Sequence, residues 1–340
     1  MSARGQVQVT PERLQQMAWG YTGPLILEAA VRHGVFDRLD EGPKTLDEVA
    51  AATGASHRGL RAILNALVGF QLLARDGEGR YSLLPESAVF LVSGKPTFIG
   101  GILKHTSSQL MPIWMQLNEV VARGGPTTGV NQERTGSEFF HEFVEDIFPM
   151  SYPAAQNLAR ALNVADATGP MKVLDLAAGS GVWSIALAQH SAHVSVTAVD
   201  WPGVLDVTRR VATRFGLVDR YTFVSGDLLE ADFGRAHHIA TLGHILHSEG
   251  AERSRILLRK TYDALEPGGT IAIAEFLVND DRTGPPMGLI FAVNMLVATE
   301  NGDTFSFSEI SKWLDQAGFE NARLLESPGP SPLILANRPK

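Results

Sequence analysis

The stretch that decides the fold of this chain reads "VLDLAAGSGVW" and runs from Val173 to Trp183. A strand-like apolar run is followed by two glycines, Gly179 and Gly181, and then by the start of a helix pattern. Glycines at such a junction permit a tight turn and let the backbone approach a ligand closely. The next strand-like segment, "TAVDWP", ends with Asp200, where a carboxylate can accept both hydroxyls of a ribose. Together these features predict a nucleotide-binding unit.

Strand and helix patterns alternate on both sides of this loop. The strand candidates run apolar on both faces, as buried parallel strands do; they are "KVLDLAAG", "HVSVTAVD", "YTFVSGDLL", "HHIATLGH", "GTIAIAEFLV" and "PLILANR". Such alternation predicts a doubly wound α/β domain, Rossmann-like, whose ligand lies at the carboxyl ends of the strands.

The first part of the chain predicts a different, mainly helical module. "LILEAAVRHGVFDRL" has apolar residues at helical spacing, Thr45 and Ser56 are candidate caps of the next two helices, and "LLARDGEGRYSLL" has the pattern of a hairpin. This order of elements along the chain, three helices followed by a hairpin, is typical of a winged-helix domain. Its acids and bases are nearly balanced, whereas DNA-binding domains usually carry a basic stripe. We therefore expect a structural or dimerising role.

A helical segment rich in large apolar side chains joins the two modules. Most of these side chains fit helix cores, but a minority can line an apolar pocket for a planar ligand. Trp114 and Phe148 are our candidates for such a pocket. We predict a winged-helix domain over 1–95, a helical substrate segment over 96–165 and a ligand-binding domain over 166–340.

Composition excludes several functional classes. The chain has 340 residues, 44% of them hydrophobic and 19% charged, with a formal net charge of −8. This charge disfavours nucleic acid or an anionic membrane as the main partner. The absence of cysteine excludes disulfides, thiolate zinc sites and cysteine nucleophiles. Without a long apolar run or a signal-like N-terminus, the sequence predicts a soluble, cytoplasmic protein.

The acids around the glycine loop indicate which nucleotide it binds. A dinucleotide fingerprint would place a third glycine at position 184, which is serine here. Asp175 stands just before the loop, where its charge would repel a pyrophosphate but suit an ammonium and a sulfonium. Asp227 ends the third strand, where an adenine amino group could donate to it. Three acids around one cleft favour S-adenosylmethionine over NAD.

Several motifs, in this order, resemble one known family: "LDLAAGSG", "VDWP", "GDLL", "ILH", "LEPGGTIAIAE" and "NGDTFSFSEISKWLDQAGF". The chain resembles, over nearly its whole length, the S-adenosylmethionine-dependent O-methyltransferases of the plant caffeate/isoflavone type and their bacterial natural-product relatives. The resemblance implies a homodimer, a winged-helix dimerisation domain and a Rossmann-like class I methyltransferase domain, with S-adenosylhomocysteine as a product. It also implies cofactor contacts by Gly179, Asp200, Asp227 and Leu228, with Leu228 on the adenine face. We assign four further residues to the cofactor site: Asp175, Gly181, Trp201 and His244.

The segment "GHILHSEG" carries the catalytic prediction. The resemblance implies that His247 is the general base and that Glu275 orients it. A phenol, with a pKa of about 10, attacks a methyl group poorly until a group such as imidazole, with a pKa of about 6.5, takes its proton. Alternatively, Glu275 is a strand-end acid that reaches solvent. His244 either lines the cofactor cleft or finishes the strand, and no metal is predicted because a third ligand is lacking.

Two positions depart from the family pattern. Ser248 replaces an aspartate, and we expect it to cap the following helix equally well. Thr304 stands where the family has a second orienting acid, with Asp303 beside it and Glu300 nearby. Orientation of the base would then depend on Glu275 alone.

The leading hypothesis is methyl transfer to the hydroxyl of a small, phenolic molecule. Its binding site would include Phe291, Asn294 and Met295, and Met295 matches a family position that packs on the acceptor ring. One alternative is methylation at carbon or nitrogen, for example of a 2-oxo acid, on the same scaffold. Another is a regulatory protein that binds S-adenosylmethionine without catalysis, which the residues at positions 248 and 304 would suit.

Overall fold

The structure is a computed structural model that describes residues 9–130, 132–329 and 331–340, with the side chain of Arg134 left out. The chain divides into two compact units, the first ending at Ser108 and the second spanning Gln109–Lys340. Residues 1–8, which belong to the segment considered for a signal, lie outside the described residues. Among the helices that are described, none is long and apolar enough to cross a membrane.

The first unit contains seven helices and one hairpin among its described residues. Their bounds are α1 Glu12–Ala18, α2 Thr22–Arg32, α3 Val35–Asp40, α4 Leu46–Thr53, α5 His57–Gly69, β1 Leu73–Arg75, β2 Tyr81–Leu83, α6 Pro85–Phe90 and α7 Gly101–His105. The antiparallel hairpin is confirmed. Both predicted caps are also confirmed: the Thr45 hydroxyl accepts from the Glu48 N–H in a capping box, and the Ser56 hydroxyl accepts from the Gly59 N–H. These bonds satisfy N–H groups that have no partner inside the helix.

One expectation for this unit is wrong. "LILEAAVRHGVFDRL" does not form a single helix, because α2 ends at Arg32 and α3 begins at Val35. Gly34, between them, has φ +66°, a left-handed conformation that ends a helix. The apolar spacing continues across this break because both helices face one core, which includes Val35, Phe36 and Leu64.

The second unit is an α/β structure preceded by helices. A π-helical turn over Thr106–Leu110 precedes α8 Met111–Trp114, α9 Leu117–Arg123, α10 Glu133–Phe143 and α11 Phe148–Ala161. The strands are β3 Met171–Leu176, β4 Val194–Asp200, β5 Tyr221–Ser225, β6 His237–Gly243, β7 Leu265–Ala274, β8 Glu320–Leu325 and β9 Leu333–Asn337. The helices between them are α12 Val182–His190, α13 Pro202–Arg214, α14 Leu246–Ala264, α15 Pro286–Ala298 and α16 Phe307–Ala317; 3₁₀ turns lie at Val164–Asp166 and Val218–Arg220.

The central sheet has seven strands in the order β5-β4-β3-β6-β7-β9-β8. The first five are parallel, and β9 is antiparallel to both of its neighbours. Val173 packs into the core on one face, and Leu174 and Leu176 pack into the core on the other. The predicted doubly wound, Rossmann-like fold is therefore confirmed. The edge strand β8 was not predicted, because its residues are mostly exposed and lack a buried-strand pattern.

This topology brings the carboxyl ends of five parallel strands to one edge of the sheet. Asp200 is the last residue of β4, and Glu275 directly follows the last residue of β7. The strand candidate "GTIAIAEFLV" placed Glu275 inside a strand, whereas β7 ends one residue before it. The residues singled out from separate motifs consequently share one edge.

Candidate active site

The loop between β3 and α12 turns through left-handed backbone. The φ angles are +52° at Ala177, +55° at Gly179 and +75° at Gly181. A Cβ on Gly181 would lie 3.1 Å from the Thr208 methyl carbon, in a backbone conformation that side chains disfavour. The two predicted glycines therefore stand where the chain turns.

Asp200 is joined to this loop by its side chain. Its Oδ2 accepts the Gly179 N–H at 2.9 Å, and its Oδ1 accepts the Trp201 N–H at 2.7 Å. Burial raises the pKa of Asp200 to about 6, although the two hydrogen bonds act to lower it. The negative charge of Asp175 also raises this pKa. Each carboxylate oxygen keeps a lone pair for a further donor.

Asp175 lies fully inside the unit. Its Oδ1 accepts the Thr241 hydroxyl at 2.7 Å, and its Oδ2 accepts the Ser184 hydroxyl. Burial raises its pKa to about 6, and the hydroxyl bonds oppose the rise. The serine at position 184, which departs from the dinucleotide fingerprint, is therefore a direct partner of this acid.

Asp227 lies two residues beyond β5 and is held by two donors. Its Oδ1 accepts the Leu229 N–H at 2.8 Å, and its Oδ2 pairs with the Arg253 guanidinium at 2.7 Å. Arg253 also donates through Nε to Glu249 at 2.5 Å. Leu228, beside Asp227, is buried. The sequence analysis missed Arg253. Its spacing of four residues from Glu249 on α14 is a local pattern for an ion pair, but its pairing with Asp227, 26 residues away, is not visible locally.

His247 and Glu275 form a buried pair. His247 is 7% exposed and Glu275 is 2% exposed, so Glu275 does not reach solvent. The ring Nδ1 lies 2.7 Å from Glu275 Oε2, and the His247 backbone N–H donates to Oε1 at 3.3 Å. Burial raises the pKa of Glu275, but the charge and hydrogen bonds of His247 outweigh it and lower that pKa below its ordinary value. Because an ionised carboxylate only accepts, Nδ1 carries a proton and donates it to Glu275.

His244 is buried beside this pair but has a different partner. Its Nε2 lies 2.9 Å from the Ser331 hydroxyl, and its ring centre is 6.4 Å from that of His247. Burial lowers its pKa to about 4, so the ring is neutral at neutral pH. Ser331 was not predicted, and no local sequence pattern connects it to His244. A cofactor role for His244 stays a prediction.

The expected cap at Ser248 is wrong. The helix begins one turn earlier, with Ile245 at the N-cap and no side-chain cap bond, and Ser248 lies inside α14. Gly250, with φ +74° and ψ 173°, interrupts the helical backbone shortly afterwards. A short turn carrying His247 therefore precedes the regular part of α14.

Thr304 has no hydrogen bond to His247 in the structure. Its hydroxyl donates to the Gly288 carbonyl at 3.2 Å, while Glu300 accepts from Gln132 at 2.9 Å. The Asp303 backbone N–H donates to the His247 carbonyl at 2.9 Å. Among the described residues, Glu275 is the only carboxylate hydrogen-bonded to the His247 ring.

Three of the predicted acceptor residues share α15, and a fourth contacts that helix. The Phe291 ring lies edge-on to His247, with centres 4.9 Å apart, and tilts on Phe276 at 4.2 Å. The Trp114 indole N–H donates to Asn294 Oδ1 at 2.8 Å. Met295 is buried on the same helix. Phe276, which the sequence analysis missed, contacts both Phe291 and His247.

Phe148 and Trp201 have other neighbours. Phe148 stacks on Tyr152 and Phe215, with ring centres 5.1 and 5.4 Å away, in the hydrophobic core. Trp201 follows Asp200, and its ring centre is 6.1 Å from that of Phe140. Phe148 is therefore not brought into contact with the α15 residues, whereas Trp201 stays next to the carboxylate of Asp200.

The described residues contain no group of three histidine, aspartate or glutamate side chains suited to hold a metal ion.

Two family models match this chain. The model of an O-methyltransferase domain matches residues 131–320, and that of an O-methyltransferase dimerisation domain matches residues 15–93. The 3-hydroxy-5-methyl-1-naphthoate 3-O-methyltransferase of Streptomyces sahachiroi is 30% identical over 95% of this chain and 94% of its own length. The tetracenomycin polyketide synthesis 8-O-methyl transferase of Streptomyces glaucescens is 27% identical over 97% of both chains. The solved structure of human N-acetylserotonin methyltransferase with SAM has the same fold, with a TM-score of 0.84, 24% identity, and coverage of 99% of this chain and 100% of that one.

Proposed function

The chain belongs to the O-methyltransferase family that carries a dimerisation domain, and on that premise we propose that it methylates a hydroxyl of a small aromatic molecule with His247 as the general base. The observation that carries this proposal is the buried His247–Glu275 pair at the carboxyl edge of the sheet. Relatives named for naphthoate and polyketide O-methylation support an aromatic acceptor.

The acids at the carboxyl ends of β3, β4 and β5 fit S-adenosylmethionine as the cofactor. Asp200 is anchored by two backbone N–H groups, and its remaining lone pairs suit the hydroxyls of a ribose. Asp227, held by Leu229 and Arg253, would accept from the adenine amino group, with Leu228 beside the adenine face. When bound, the cofactor supplies a methyl group on a positively charged sulfur. The acidic lining favours that charge.

His247 provides the base that the hydroxyl needs. Glu275 holds the Nδ1 proton, so Nε2 is the ring atom that can accept a proton. Phe276 and Phe291 surround the imidazole with apolar surface, which limits access of water. The main contribution of the remaining side chains is to hold the acceptor oxygen in line for transfer.

We also propose a homodimer in which α1 is covered by a second copy. None of the residues of α1 is buried within the chain. Leu14 and Met17 on this helix are 70% and 64% exposed, and Trp19, just after it, is 67% exposed. Large apolar side chains gathered on one short segment are typical of an interaction surface.

The test of the function is methyl transfer to a mixed panel of phenols, amines and 2-oxo acids, read by mass. The protein variants are wild type, His247→Ala and, as a matched control, His238→Ala at the opposite end of β6. We expect methylated phenols from wild type and the control but not from His247→Ala. Phenol methylation that survives in His247→Ala would refute the base. Product only from oxo acids or amines would support the alternative acceptors, and binding of S-adenosylhomocysteine without any product would support a regulatory protein.

A further inference from the structure

The short turn that carries His247 is separated from the regular part of α14 by a break in the backbone. The break lies at Gly250, with φ +74° and ψ 173°. Because the helical backbone is interrupted there, other contacts have to hold the turn in place. The Ser254 hydroxyl donates to the Leu246 carbonyl at 3.1 Å, and the Asp303 N–H donates to the His247 carbonyl at 2.9 Å. Both of these contacts reach only the backbone of the turn.

Arg253 contacts a side chain of the turn. Its Nε donates to Glu249 Oε2 at 2.5 Å, and its terminal nitrogen donates to Asp227 Oδ2 at 2.7 Å, so one planar guanidinium joins both acids. The Glu249 side chain is 8% exposed. Lys260, which also lies near Asp227, donates to two backbone carbonyls instead. Among the described residues, Arg253 is therefore the only cation in an ion pair with Glu249 or Asp227.

The two acids belong to different parts of the proposed reaction. Asp227 is the acid proposed for the adenine amino group, and its Oδ1 is anchored by the Leu229 N–H at 2.8 Å. Glu249 lies two residues after the proposed base, His247, on the same turn. The guanidinium of Arg253 thus reaches from the cofactor side to the base side.

We propose that Arg253 is a positioning residue that joins the cofactor site to the base, because it holds Asp227 and, through Glu249, the turn of His247. The proposal rests on the proposed function for the roles of Asp227 and His247. Without the guanidinium, the two carboxylates would repel each other and the buried one would have no cation beside it. A buried charge without a partner is costly, so Glu249 would move or take up a proton, and the turn would shift. Asp227 would keep one anchor and could rotate about it.

The experiment separates the two ends of this contact. Arg253→Met keeps an unbranched side chain but removes the charge and both hydrogen bonds. We expect kcat at saturating phenol and cofactor to fall about tenfold, and the Kd for S-adenosylhomocysteine, measured by calorimetry, to rise about tenfold, as loss of a partly exposed bond to a charged group implies. Adding Glu249→Gln removes the charge that lost its partner. The double variant should therefore regain kcat to within about threefold of wild type, while its Kd stays weak.

A second measurement follows the turn without catalysis. In protein that carries isotope-labelled histidine, the NMR resonances of the His247 ring are identified as those that vanish in His247→Ala. We expect Arg253→Met to shift these resonances and the double variant to return them toward their wild-type positions.

Two single variants serve as comparisons. Glu249→Gln alone should cost less kcat than Arg253→Met, because glutamine still accepts from the guanidinium. Arg259→Met is the matched control: it removes an exposed ion pair with Asp263 near the other end of α14 and should leave kcat, Kd and the His247 resonances unchanged. Thermal unfolding establishes that each variant is folded.

The possible failures are distinguishable. If Arg253 only stabilises the fold, the double variant will have a lower kcat and a lower Tm than Arg253→Met, and that result would overturn the inference. Unchanged His247 resonances in Arg253→Met would overturn it as well. If wild type methylates no phenol on the wider panel, the proposed function fails, but the His247 resonances and the Kd for S-adenosylhomocysteine still decide whether Arg253 joins the two sites.

Discussion

Replacing Glu275 by glutamine should slow methyl transfer without weakening cofactor binding. The substitution keeps the size of the side chain but removes its charge and turns one acceptor into a donor. Both oxygens are in use: Oε2 accepts from the ring at 2.7 Å, and Oε1 accepts the His247 backbone N–H at 3.3 Å. An amide can accept at only one atom, and its NH₂ group would favour the imidazole tautomer with the proton on Nε2, which cannot act as a base.

The size of the effect follows from the bond that is lost. A hydrogen bond to a charged group contributes about 1.5–3 kcal/mol. Since about 1.4 kcal/mol corresponds to a tenfold change in rate, kcat should fall by about 10- to 150-fold. Loss of the proposed base itself, in His247→Ala, should cost more, in the range of about 10²–10⁴ for general base catalysis.

The assay measures kcat with a saturating phenol and the Kd for S-adenosylhomocysteine by calorimetry. The matched control is Glu266→Gln, which changes the acid of a more exposed His–Glu pair, His238–Glu266, with its nearest atoms 3.5 Å apart. Thermal unfolding establishes that each variant is folded. The reasoning would be refuted by a folded Glu275→Gln protein whose kcat stays within threefold of wild type, or whose kcat falls no further than that of the control.

Three other predictions follow from single features. Asp175→Asn should raise the free energy of unfolding at pH 7 by up to about 3 kcal/mol but leave it unchanged near pH 4. The reason is that the raised pKa of Asp175, about 6, makes the wild-type protein lose stability as the pH rises from about 4 to 6. Urea unfolding at both pH values measures this effect, and an equal change at both would contradict it. Gly243→Ala would place a Cβ 1.9 Å from Trp183 Nε1. The free energy of unfolding should therefore fall by about 1–3 kcal/mol, and the tryptophan fluorescence should change. An unaltered midpoint of urea unfolding would count against this packing. Met17→Glu should convert the proposed dimer to a monomer in light scattering, whereas Leu324→Glu on β8 should not. A dimer that persists in Met17→Glu would exclude α1 as the interface.

The parts of the fold that were predictable depend on residues close together in sequence. The caps at Thr45 and Ser56 each use a donor three residues away. The buried strands could be predicted from their continuous apolar runs. Ser248 has the same capping chemistry, yet α14 begins at Leu246, so Ser248 lies within the helix and not at its N-cap. Gly34 interrupts an apolar spacing that is uniform by sequence. In both cases backbone geometry overrode a local pattern.

The site was predictable where it follows strand ends. Asp200 and Glu275 could be found because parallel strands bring their carboxyl ends together. Pairings between distant segments could not be found: His244 and Ser331 are 87 residues apart, and Trp114 and Asn294 are 180 apart. Phe148 is a flat apolar side chain that suits a pocket, but it packs in the hydrophobic core instead. Which face of its helix meets the core depends on contacts with distant segments, and the local sequence does not show these.

Two separate parts of the chain carry the proposed proton-accepting pair and the proposed acceptor contacts. His247 and Glu275 follow β6 and β7, whereas Phe291, Asn294 and Met295 lie on the 13-residue helix α15. If both roles hold, mutations within that helix alter which molecule is admitted, while the strand ends that hold the proposed base keep their sequence. A duplicated gene can acquire a new product by drift in one short segment. An engineer who grafts that segment from a homologue has to match position 114 as well, because Trp114 on α8 donates to Asn294.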